Sequence, residues 1–180
     1  MNFTSTRLAG VHLVESVPST DARGFFARTY CEQEFAACDL NTRWVQQNHT
    51  RTLGEGSVRG LHFQAEPNPE IKLVRCLAGE VWDVVVDVRP ESPTFGQWEA
   101  VTLSAENMLA LYIPAGFAHG FQSLTEQCDL FYLMSDFYHP ELARGVRWDD
   151  PDLAIAWPKA VSNLSARDQQ LPTLADLRAS

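Results

Sequence analysis

The chain has 180 residues, 45% of them apolar and 21% charged, with a formal net charge of −9. That length suits one domain spanning residues 1–180 with a substantial core, and the acidic balance excludes a surface built for nucleic acid or anionic membrane, because both partners are polyanions. No apolar run approaches the roughly 20 residues of a bilayer span, and "MNFTSTRLAG" lacks the apolar segment of a signal peptide, so a cytoplasmic, non-membrane protein is expected.

From Leu8 to Met134 the chain is a series of short runs rich in β-branched and aromatic residues. Turn signals such as "STDARG", "LGEGS", "AEPNPE", "LAGE", "RPESPTFG" and "IPAGFAHG" separate them. Strands are predicted near residues 11–15, 25–30, 43–50, 58–64, 71–77, 80–88, 97–103, 109–113, 119–124 and 128–135. Helical patterning is confined to "CEQEFAACD" and to the tail after Ser165. The expectation is therefore an all-β sandwich or barrel with short peripheral helices, without repeats, low-complexity segments or a linker.

Strand alternation says which side chains share a face. In "IKLVRCL" Lys72, Val74 and Cys76 lie on one face, and Leu73, Arg75 and Leu77 on the other. In "VWDVVVDV" Trp82, Val84, Val86 and Val88 oppose Val81, Asp83, Val85 and Asp87. Lys72 and Asp83 thus share faces with apolar neighbours, and an interior that mixes apolar with ionisable groups is suited to enclosing a ligand, because unpaired buried charge is costly. Which face points inward is not contained in the period. The cysteines Cys31, Cys38, Cys76 and Cys128 form neither a CxxC pair nor a zinc spacing, and Cys76 reads as a small core residue.

Several residues carry possible chemistry. His62, in "RGLHFQ", is either a satisfied strand histidine or a catalytic one; Arg59 and Lys72 could both reach a shared carbonyl or anionic oxygen, which favours the second reading. His119, in "IPAGFAHGFQ", reads equally as a second site residue or a loop residue. A metal site built on the two is not expected, since Gln64 stands where an H-x-H pair needs its second histidine. Ser165 and Asp168 match the S-x-x-[DE] capping signature, which on the residues alone makes Asp168 a helix-end group. Tyr132, among apolar residues in "CDLFYLMSDFYH", is a packing residue or a general acid. Arg23, beside Phe25 and Phe26 in "DARGFFARTY", is a solvated turn residue or a phosphate contact next to an aromatic that stacks on a base.

In this order, "RGFF", "VRGLHFQ", "KLVRCLAGEVWDVVVDVRPESPTFGQW", "VTLSAEN", "YIPAGFAHGF", "DFYHPELARGVRWDDPDLAIAWP" and "LSARDQ" resemble the dTDP-4-dehydrorhamnose 3,5-epimerase family, over about residues 8–175. The resemblance implies a cupin-type jelly-roll barrel, no metal or organic cofactor, and a homodimer that shares N-terminal strands. It also implies a nucleotide-diphosphate sugar as substrate. By the same resemblance His62 is the base, Asp168 its carboxylate partner, Tyr132 the acid on the opposite face of the sugar, and Lys72 the group that holds the enolate. Arg59 and His119 match residues around the sugar and phosphate, Arg23 and Phe26 the nucleotide end, and Gln46, Asn48, Tyr138 and Arg167 supporting contacts. Asp83 matches a buried carboxylate near the histidines. Arg28, Gln47 and Leu133 depart from the pattern, where glutamate, aspartate and lysine are common, so the carrier base, thymine or cytosine, stays open. So does the choice among C3, C5 and both. A ketoisomerase of the same family type would carry a further histidine where Phe63 and Gln64 stand, and a non-catalytic binding barrel would have no need of both a base and an acid.

Overall fold

The computed structural model describes residues 1–179; Ser180 lies outside them. Thirteen strands follow in chain order: β1 (Asn2–Ser5), β2 (His12–Glu15), β3 (Ser19–Asp21), β4 (Gly24–Phe26), β5 (Gln46–Leu53), β6 (Val58–Gln64), β7 (Lys72–Ala78), β8 (Glu80–Asp87), β9 (Trp98–Ser104), β10 (Leu109–Ile113), β11 (Phe117–Ser123), β12 (Gln127–Met134) and β13 (Ala143–Gly145). The helices are short: α1 (Glu32–Ala36), α2 (Ala166–Gln169) and α3 (Leu174–Ala179), with one 3-10 turn at Pro140–Leu142.

The strands form three sheets, in the orders β1-β2-β10-β7-β12-β5, β13-β6-β11-β8-β9 and β3-β4. Each ends in edge strands without a hydrogen-bonded neighbour to close it, so the expected jelly-roll barrel is corrected to an arrangement of open sheets. Alternation reports which residues share a face, but closure depends on pairing between the outermost strands, which no residue pattern along one strand encodes. The helices are peripheral but do not turn this arrangement into a barrel.

The two large sheets face each other across one apolar layer. Val74, Cys76, Leu111, Ile113 and Leu130 come from the six-stranded sheet and Val81, Val85, Leu103, Phe117 and Phe121 from the five-stranded one. The faces left open by alternation are thereby assigned: Val74 and Cys76 on the Lys72 face, and Val81 and Val85 on the Asp83 face, both point into this shared layer. The outer face of the five-stranded sheet packs Val84, Val86 and Ala118 under Val146, Leu153, Ile155 and Leu174 of the C-terminal segment. On the outer face of the six-stranded sheet Phe35 of α1 is fully buried against Val14, Leu73, Ala110 and Tyr112, a burial worth about 2–3 kcal/mol.

Crossing between sheets takes a sharp reversal at Gly79, which joins β7 of one sheet to β8 of the other. Its φ is +69°, and a Cβ there would lie 2.2 Å from the Gln127 carbonyl, so only glycine fits. The sheets part beyond the apolar layer, and the gap between β5, β7 and β12 on one side and β6 and β11 on the other is where the ionisable residues gather.

Candidate active site

The gap is a cavity of about 1000 Å³, large enough for a nucleotide-sized ligand. Its lining includes His62, Lys72, Tyr132, Asp168, Arg59 and His119, so six of the residues singled out in the sequence converge on one space. Gln46, Asn48, Tyr138 and Arg167 line it as well. Asp83 stands one layer behind, wholly buried, with both carboxylate oxygens 2.9 Å from His119 Nε2. Arg23 and Phe26 are not brought to the cavity: they sit on the exposed β3–β4 hairpin, where Arg23 pairs with Asp21 at 2.6 Å.

His62 is placed by β6, in register with His119 on β11. The approach of those strands depends on Gly60, whose φ is +131° and whose absent Cβ would meet Gly120 Cα at 2.5 Å. The register slips between His119 and Phe121 at this point, a bulge that re-aims neighbouring side chains. His62 Nε2 lies 2.7 Å from Asp168 Oδ1, and Gly60 N–H donates to Asp168 Oδ2 at 3.4 Å. Burial raises the Asp168 pKa, but the His62 hydrogen bond and charge, the Gly60 N–H and Ser165 outweigh it and hold the carboxyl below its ordinary value. The cap and the histidine contact use different atoms of Asp168. Its backbone N–H donates to Ser165 Oγ at 3.0 Å, capping α2, while its carboxylate goes to the histidine.

The facing sheet supplies the phenol. Tyr132 on β12 places its hydroxyl 2.8 Å from Thr50 Oγ1 on β5. Lys72, at the start of β7, donates to the His62 carbonyl at 3.2 Å and lies 2.9 Å from Glu70 Oε1. At the rim, Arg51 is committed to Asp129: its hydrogen bonds, against the effect of burial and with help from His49, hold that carboxyl at about 2. Among the described residues Arg59 instead bonds only neutral groups, Thr52 Oγ1 at 2.9 Å and the Arg51 carbonyl at 3.4 Å. Arg167 has no side-chain partner among the described residues, so two guanidinium groups keep their charge for a ligand.

Thr50, Arg51 and Glu70 were not singled out by the sequence. Thr50 and Arg51 fall where strand β5 was expected to end, and Glu70 lies in a segment read only as a turn; the "EIK" spacing, which puts Glu70 and Lys72 on one side of an extended chain, was the available signal. Of the departures from the family pattern, Gln47 and Leu133 are register partners on the outer face of the six-stranded sheet, and Arg28 pairs with Glu34; none lines the cavity. Among the described residues no group of three or more His, Cys, Asp or Glu is placed to hold a metal ion.

A protein whose cleft between two large sheets offers proton donors and acceptors on both sides, with uncommitted cations at its rim, falls in the class of acid–base enzymes for anionic small molecules. A model of the dTDP-4-dehydrorhamnose 3,5-epimerase family matches residues 5–176, and the chain belongs to that family. It is 46% identical over 178 residues to the dTDP-4-dehydrorhamnose 3,5-epimerase of Pseudomonas aeruginosa, covering 98% of this chain and 97% of that protein. Among solved structures it is similar to a 4-keto-6-deoxy sugar epimerase from the novobiocin biosynthetic gene cluster of Streptomyces spheroides, with a TM-score of 0.95 and 38% identity, over 99% of this chain and 90% of the other. A 3′-monoepimerase from Streptomyces bikiniensis, solved with dTDP-quinovose, matches with a TM-score of 0.89 and 38% identity, over 94% and 86% of the two chains. No helix among the described residues is long and apolar enough to cross a membrane.

Proposed function

We propose that the chain inverts C3, C5 or both in a dTDP-linked 4-keto-6-deoxyhexose, by proton abstraction and reprotonation through an enolate. The C4 ketone makes the hydrogens on C3 and C5 acidic, since either carbanion delocalises onto the carbonyl oxygen; the reaction therefore asks for a base, an acid on the other ring face and a cation for the oxygen, but for no cofactor. His62 is the base, with Asp168 orienting its ring and stabilising the imidazolium that forms. Tyr132 delivers the proton to carbon from the opposite side, and Lys72 holds the oxyanion. The observation that carries this reading is the His62–Asp168 pair, 2.7 Å apart, with His62 on one large sheet and Asp168 on α2, facing Tyr132 on the other sheet across a single cavity.

Arg59 and Arg167 are the groups suited to the diphosphate, and Gln46, Asn48, His119 and Tyr138 to the sugar and nucleotide around it. The matches to dTDP-sugar enzymes support thymine as the carrier base. A homodimer is part of the proposal. Arg23 and Phe26 would serve the neighbouring site, a reading supported by the exposure of Val17, Phe25 and Phe26 on and beside the β3–β4 hairpin. One domain suffices for the chemistry, in the cytoplasm.

Incubation in deuterium oxide with dTDP- and CDP-linked 4-keto-6-deoxyglucose, followed by NMR, tests the proposal. Label at both C3 and C5 with the dTDP sugar is the outcome for double inversion, and label at C3 alone is that for a monoepimerase. No label with either carrier would overturn the reading.

A further inference from the structure

Glu70 and Lys72 both line the cavity, with side chains only 8% and 9% exposed. Burying an opposite-charge pair is costly unless its remaining hydrogen-bonding capacity is used. Lys72 has three donors, of which the Glu70 carboxylate and the His62 carbonyl occupy two. Glu70 meets Lys72 through Oε1, and no other protein partner is found for its side chain among the described residues. One N–H and several carboxylate lone pairs therefore remain at adjacent points of the cavity wall.

The pair is held firmly in place. Ile71, between the two residues, donates its N–H to Ser135 Oγ at 2.7 Å and accepts from Ser135 N–H at 3.0 Å. The preceding turn is tied down by Gln64, whose side chain donates to the Asn68 carbonyl at 2.6 Å, and by Asn68, which donates to Asp136 at 3.4 Å. A rigid donor beside a rigid acceptor complements a carbonyl beside a hydroxyl.

We propose that Glu70 reads the 3-hydroxyl of the sugar: its carboxylate accepts the hydrogen bond of the C3 hydroxyl while Lys72 donates to the neighbouring C4 oxygen, so that the pair selects α-hydroxyketones over 3-deoxy ketones. This rests on the proposed ketone substrate, and assigns to the site a specificity group that also fixes how the ring lies between His62 and Tyr132. A charge-assisted hydrogen bond of this kind is lost when either partner is removed.

Equilibrium binding of dTDP-4-keto-6-deoxyglucose and of its 3-deoxy counterpart, each to the unaltered protein and to Glu70→Gln and Glu70→Ala, forms a cycle between residue and hydroxyl. Glu70→Ala should weaken binding of the hydroxyketone by roughly 10- to 100-fold and of the 3-deoxy sugar by less than about threefold, with Glu70→Gln intermediate. Binding of dTDP alone should be unchanged in both variants, which also reports that the fold is intact. Equal weakening of the two sugars, or none, would overturn the assignment. Because the cycle is read in binding, a protein that binds both sugars but exchanges neither would refute the epimerase reading while still deciding the Glu70 contact.

Discussion

His62 and His119 face each other in register on neighbouring strands, and each is bonded to an aspartate, yet the two pairs are built differently. His119 is held by both oxygens of an aspartate with no exposure, and its own side chain is 10% exposed. His62 is held by one oxygen of Asp168, on a short C-terminal helix, and its side chain is 37% exposed toward the cavity. The same two residue types thus make a nearly closed pair in one place and, in the other, a pair open to the cavity, which the proposed function uses as the base. Exposure to the cavity, and an aspartate from a helix rather than from a strand, separate them.

The largest expected effect tests that separation directly. His62→Ala should slow deuterium exchange into substrate by roughly 10²–10⁴-fold, while dTDP affinity changes by less than about threefold. His119→Asn should act mainly through weaker substrate binding. Equal loss of exchange from both variants, with binding retained, would erase the distinction.

A smaller effect concerns acid stability. The Asp168 carboxyl is depressed in the folded chain, so the stability it contributes is fully present above its ordinary value of 3.8 and is lost as pH falls through the lower folded value. The buried Asp87 follows the same sign. Burial raises it, but Arg89, Ser92 and Thr94 bring it to about 2, so its share is lost between 3.8 and that value. Asp168→Asn should therefore narrow the difference in urea stability between about pH 5 and about pH 3 without removing it, because Asp87 remains. An unchanged difference would mean that the Asp168–His62 contact contributes nothing to the fold.

The central strands were legible because both periods and turns agree there: β6 and β10 fall where the alternation of "VRGLHFQ" and "LALYI" puts them, at Val58–Gln64 and Leu109–Ile113. β1, β3 and β13 were not expected. "NFTS", "STD" and "ARG" are too short to show a period of two and owe their strand form to pairing with a neighbour, which is tertiary information. The openness of the sheets was illegible for the same reason, since it is decided at edges. That His62, Lys72 and Tyr132 line one cavity depends on which strand faces point inward, which the period of two does not contain; on the residues alone Asp168 read as a cap, because a capping signature describes the backbone of α2 and is silent on where the carboxylate then goes.

In the proposed function a base and an acid stand on facing sheets, so that abstraction and reprotonation are separate events. Tyr132→Phe, assayed in deuterium oxide for label and for inverted product in the same sample, separates them. Label should still enter the recovered substrate while inversion falls by roughly 10²-fold or more. Equal loss of label and inversion would contradict the proposed function and return Tyr132 to a packing role.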